Sequence, residues 1–106
     1  YWLEKSPGAW TFFDDDVKQL RDEKLMVLGM LSTAPTWASH FKAPYYEYFD
    51  KLYQPKDLKQ YGDYVERVVD RYEGVIDHWD VWNEPWNHMW WAIDREDRDG
   101  GPGTYI

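Results

Sequence analysis

Apolar residues recur along this chain in two rhythms. Phe13, Val17 and Leu20 fall at helical spacing, so residues 12–24 are predicted to form a short amphipathic helix. Thr11-Phe12-Phe13-Asp14 has the S/T-x-x-D/E form of a capping box, in which the Thr11 side chain accepts from the backbone N–H of residue 14 and Asp14 reaches back. Asp14, Asp15 and Asp16 then place negative charge where it suits the helix dipole. That reading of the acidic run is preferred to a metal site. Leu58, Tyr61, Val65, Val68, Val69 and Tyr72 line one face of a second and clearer helix, DLKQYGDYVERVVDRYEG. Asp57 and Gln60 fit its N-terminal capping box, Gly74 suits the position just past its end, and Gly62 is the weak spot inside it.

Between and after the helices the pattern changes. LMVLGML, residues 25–31, is a short continuous apolar run, as expected of a strand buried on both faces in a parallel sheet. VIDHWDVW, residues 75–82, reads as a second strand. Alternation puts His78, Asp80, Trp82 and Glu84 on one face and Asp77, Trp79, Val81 and Asn83 on the other, with His78 and Asp80 read as a polar pair satisfied inside the fold. Residues 32–56 form a long aromatic loop in which 45–53 could make a short helical turn. Pro7-Gly8 is a turn signal, and the tail after Trp91 is charged and glycine-rich. Helix, strand, loop, helix, strand implies an α/β fold with parallel strands in a single domain spanning residues 1–106. Asn83-Glu84 and the loop after residue 31 then share the C-terminal strand edge, where α/β folds build their sites. There is no internal repeat.

Composition narrows the function. With 20 Asp+Glu against 12 Lys+Arg and a formal charge of −8, the chain is ill suited to nucleic acid, which wants a basic patch. No apolar run approaches the roughly 20 residues needed to cross a bilayer, so no membrane partner is expected. There is no cysteine, hence no disulfide or thiolate metal site, and His40, His78 and His88 lack metal-ligand spacing. Neither a metal nor a cofactor is expected. The chain starts at Tyr1 rather than Met, which leaves open whether a native N-terminus and leader lie upstream. Aromatic residues make up 20%, with eight Trp and nine Tyr. They suit an aromatic core and a surface for flat, half-apolar ligands such as sugars about equally.

The string WDVWNEP, residues 79–85, resembles the fourth-strand signature of the clan of retaining (β/α)8 glycoside hydrolases that includes β-xylosidases, β-galactosidases, endoglucanases and xylanases. WLEKSPGAW resembles the end of the second strand in those enzymes, though Lys5 stands where a proline is common. LMVLGMLSTAPTWAS resembles the third strand running into a Pro-x-Trp loop, and GPGTYI the approach to the fourth helix. The resemblance implies a segment of a (β/α)8 TIM barrel, from about the end of strand 2 to the start of helix 4. It implies Glu84 as general acid/base and Asn83 as the hydrogen-bonding partner of the sugar 2-hydroxyl.

The chemistry suits those residue types. Cleaving a glycosidic bond needs a proton on a weakly basic leaving oxygen, which a carboxylic acid beside a low-dielectric wall can supply. Trp82, Trp86 and Trp90 are candidates for that wall. Asn offers a donor and an acceptor to a hydroxyl whose hydrogen bond strengthens in an oxocarbenium-like transition state. Trp37 and Trp86 are candidates for sugar stacking, rather than loop filling, and His40 is a candidate partner for a substrate hydroxyl. Retention also needs a nucleophilic carboxylate roughly 5–5.5 Å from the acid. Asp80 lies about 6–7 Å deeper along the strand and would face into the barrel. The nucleophile is therefore expected outside this chain, which alone would be inactive. A barrel takes about 250 residues, so the partners implied are a glycoside, oligosaccharide or polysaccharide and the remainder of the barrel. The alternative is a non-catalytic carbohydrate-binding or truncated, inactive fragment. A third reading is a protein-interaction domain with an aromatic interface. The substrate class would suit a secreted or periplasmic location; the residues themselves assign no compartment.

Overall fold

A computed structural model of the chain describes residues 3–40 and 53–85. Within them the order is β1 (Glu4–Ser6), β2 (Ala9–Trp10), α1 (Asp14–Asp22), β3 (Leu28–Leu31), a 3-10 turn (Thr36–Ala38), α2 (Leu58–Arg71) and β4 (His78–Val81). The architecture is a small mixed α/β fold with two separate two-stranded sheets. β1 and β2 form an antiparallel hairpin around the expected Pro7-Gly8 turn. Gly8 takes φ +82°, and its N–H donates to Glu4 Oε1 at 2.6 Å. β3 and β4 run parallel, in register from Leu28 opposite His78 to Leu31 opposite Val81. Parallel neighbours need a long crossover, and the segment containing α2 provides it.

The expected double burial of residues 25–31 is not what forms. Gly29 is buried and Leu31 is 1% exposed, whereas Leu28 and Met30 are 63% and 54% exposed. The core gathers on the Leu31 side, where Tyr64 and Val68 of α2 and Tyr72 at its C-terminal cap meet Ile76 and Trp82. Among the described residues no layer covers the opposite face. His78 and Asp80, register partners of Leu28 and Met30, are likewise exposed rather than paired inside the fold. Gly29 is there for space: a Cβ at that position would come within 2.3 Å of the Trp79 ring on the neighbouring strand.

α2 begins as expected. Asp57 caps it, its carboxylate accepting from the N–H groups of Lys59 and Gln60, which satisfies two orphan donors of the first turn. Its buried stripe is centred on Tyr64 and Val68, while Leu58, expected on the apolar face, is 57% exposed. Gly74 takes φ +71° in the turn that leaves the helix.

α1 departs further from expectation. It has no side-chain cap, and Phe13 occupies the capping position. Instead of a Thr11–Asp14 box, both Asp14 oxygens accept from the Arg71 guanidinium, and the Phe13 N–H donates to the Tyr72 hydroxyl at 2.9 Å. A bidentate, charge-assisted pair is stronger than a neutral cap, so the helix start is set by α2 rather than locally. Phe13 and Leu20 are 54% and 39% exposed, so of the expected stripe Val17 alone packs on the core.

Candidate functional site

The candidate site begins where β4 stops. The last rung of the parallel ladder is the Trp82 N–H donating to the Leu31 carbonyl at 3.2 Å. Trp82 then takes φ +70° and Glu84 φ +42°, both in the left-handed region that bulky residues rarely enter. This turn breaks the alternation expected along 75–82. Trp82 rolls into the core, 1% exposed, with its ring edge-on to Tyr61 at 5.7 Å, and Val81 is left 38% exposed. Trp82 therefore does not share the exposed face of Asp80; its ring packs into the core. It is the footing from which Asn83-Glu84 leaves the strand. Asn83 is half-buried and Glu84 exposed. Trp86 and Trp90 lie outside the described residues.

The loop after β3 emerges at the same edge, because Leu31 and Val81 are register partners. Ser32 and Ala34 are buried, and Trp37 is half-buried on the 3-10 turn, packed against the core. His40 is exposed. The base of this loop is pinned: the His40 N–H donates to the Gln54 carbonyl at 3.1 Å, the Lys56 N–H donates to the Ala38 carbonyl at 2.9 Å, and Ser39 bridges to Pro55. The helical turn expected at 45–53 lies outside the described residues except for Tyr53. Asn83-Glu84 and the first residues of the loop that carries Trp37 and His40 thus leave neighbouring strand ends at one edge of the sheet.

Much of the aromatic content is structural. Trp82, Tyr61, Tyr64, Trp10, Phe12, Tyr72 and Trp79 form a continuous series of ring contacts with centroids 5.5–6.5 Å apart. Burial pushes the Tyr64 phenol up to about 12, against a hydrogen bond with the Leu3 backbone. The hydrogen bond to Arg71 holds the Asp14 carboxyl below its usual range.

A groove of about 770 Å³ lies between α1 and α2, floored by Phe12, Val17, Tyr72 and Val75. It is at the end of the sheet where β4 begins, away from Glu84. Its cations are already matched: Arg71 with Asp14, Lys18 with Asp22, Arg21 with Asp77 at 3.5 Å, and Arg67 over the Trp10 ring at 4.4 Å. The strand edge, with its left-handed residues and half-buried Asn83, is the stronger candidate for chemistry. Among the described residues no group of three or more His, Asp or Glu is placed to hold a metal ion, and no helix is long and apolar enough to cross a membrane.

Comparison with protein-family models, curated proteins and solved structures finds no match to this chain.

Tyr61 and Gly29 were not singled out by the sequence. Tyr61 reads there only as a stripe residue of α2, and Gly29 as one position in an apolar run.

Proposed function

We propose that this chain is the part of a retaining β-glycoside hydrolase that carries the general acid/base, a segment of a (β/α)8 barrel from about the end of strand 2 to the start of helix 4. One observation carries the reading. Asn83-Glu84 leaves the C-terminal end of a parallel strand through residues held at positive φ, next to the loop from the neighbouring strand. Backbone strain of this kind costs about 1–3 kcal/mol per residue and persists where surrounding structure over-determines it, which is common at active sites. Glu84 is exposed at that edge, accessible to a substrate.

In the first step the Glu84 carboxyl gives its proton to the glycosidic oxygen as that bond breaks, while a carboxylate elsewhere in the protein attacks the anomeric carbon. In the second step Glu84, now a carboxylate, takes a proton from the water that releases the sugar. The Asn83 amide holds the sugar 2-hydroxyl, and Trp37 and His40 on the adjoining loop contribute to the sugar subsites, with Trp86 following Pro85. The uncovered face, which carries Leu28, Met30, His78 and Asp80, would look into the barrel once the remaining strands pair at the sheet edges.

The test uses the protein that carries this chain together with its nucleophile. Glu84→Gln should lower turnover of β-glycosides with poor leaving groups by about 10²–10⁴-fold, the range of general-acid catalysis. Activated aryl glycosides, which need little protonation on departure, should lose far less in their glycosylation step. Equal losses in that step for both substrate classes would refute the acid role.

A further inference from the structure

We infer that Tyr61 is a positioning residue for Glu84, acting through the Leu31 carbonyl and the Trp82 backbone; the inference rests on Glu84 being the acid/base. The Tyr61 hydroxyl donates to the Leu31 carbonyl at 2.7 Å. The same oxygen accepts the Trp82 N–H at 3.2 Å. A carbonyl oxygen has two lone pairs, and these two donors engage it from a helix and from a strand at one point. Tyr61 therefore ties α2 to the final rung of the β3–β4 ladder, where both rim loops begin.

The ring of Tyr61 serves a second contact. It meets the Trp82 indole edge-on at 5.7 Å and stacks with Tyr64 at 6.2 Å, so its position is fixed from both sides. Trp82 is held at φ +70° and Glu84 at φ +42°. A tryptophan stays in the left-handed region only when its surroundings impose it. The path of the chain from Trp82 to Glu84 starts from that imposed conformation, so whatever holds Trp82 sets where the Glu84 carboxyl stands. A phenylalanine at 61 would keep the packing with Trp82 and Tyr64. The hydroxyl adds a directional bond that fixes how α2 sits against the strand ends.

Tyr61→Phe in the whole protein isolates that bond. Misplacing a catalytic group by about 1 Å can cost on the order of 100-fold. The expected result is a fall of roughly 10- to 100-fold in kcat/KM, which reports the glycosylation step, for substrates with poor leaving groups, with kcat/KM for activated aryl substrates largely spared. Hydrogen exchange at the Trp82 amide should quicken by about tenfold, while the Tyr64 and Val68 amides within α2 stay as protected as before. That pattern would support the role. Unchanged Trp82 exchange, kcat/KM for poor leaving groups within twofold of the parent protein, or equal losses of kcat/KM on both substrate classes would overturn it. If Glu84→Gln fails to discriminate between leaving groups, the hydrolase reading falls, and with it a positioning role toward an acid. The Trp82 exchange then still reports separately whether Tyr61 holds the strand end.

Discussion

The Tyr64 phenol is 3% exposed as a residue, and its pKa rises from 10.0 to about 12, chiefly through burial. The folded state therefore keeps a proton that the unfolded chain releases. The resulting stabilisation is complete below pH 10 and is lost as pH climbs from 10 towards 12. The urea midpoint of the parent chain should fall more steeply over that window than the midpoint of Tyr64→Phe, since the difference between the two removes the common background of other tyrosines and lysines. Parallel curves would show that the phenol titrates alike in both states. Tyr64 was not legible as the centre of the core. Its importance comes from Trp10, which stacks on it at 5.9 Å from the hairpin, and helical spacing within α2 carries no trace of that partner. Trp82 was hidden for a different reason. Strand alternation assumes extended backbone, and a single residue at φ +70° reverses which side chain faces the core. Asn83-Glu84, by contrast, could be picked out in the sequence because the motif is local and ends a strand.

At the scale of elements, α2 was the most legible. Asp57 caps it, and Tyr61, Val65, Val68, Val69 and Tyr72 all face or join the core. α1 was legible in position but not in how it starts or stops. Its end is a Schellman closure: the Leu25 N–H donates to the Leu20 carbonyl at 3.0 Å and the Lys24 N–H to the Arg21 carbonyl at 2.9 Å. The residue in the left-handed position is Lys24, φ +60°, where glycine is usual. Lys24→Gly removes the Cβ conflict of that conformation and should stabilise the chain by about 1 kcal/mol, seen as a higher urea midpoint at unchanged slope. A lower midpoint would mean that the lysine side chain contributes more than its backbone costs. The start of α1 escaped the sequence because the Arg71–Asp14 pair and the Tyr72 hydroxyl arrive from residues more than fifty positions away.

Across the whole molecule, the parallel pair and its crossover helix agree with the α/β class read from element order. The expectation that residues 25–31 form a strand buried on both faces was not met: one face is buried and the other exposed. The helices cover one face, and Leu28, Met30, His78 and Asp80 line the other. The apolar character of Leu28 and Met30 was readable, but what lies over them depends on tertiary partners that periodicity does not encode. The high aromatic content divides in a similar way. A run of ring contacts builds the core beneath the rim, while Trp37 stands half-buried on the rim loop itself. This arrangement gives the proposed acid a rigid base, since the strand ends that present it rest on packed rings and a shared carbonyl.

The most direct measurement of the acid/base role is rescue by a small anion. In Glu84→Ala, with the side chain removed from the rim, azide should enter the space left by the carboxylate and attack the glycosyl-enzyme from the side the base would have served. Turnover of an activated aryl β-glycoside should then rise with azide concentration, and the product should be the β-glycosyl azide, with configuration retained. An α-glycosyl azide would mean that residue 84 is the nucleophile. No response to azide, together with unimpaired turnover of substrates with poor leaving groups, would mean that Glu84 takes no part in the reaction.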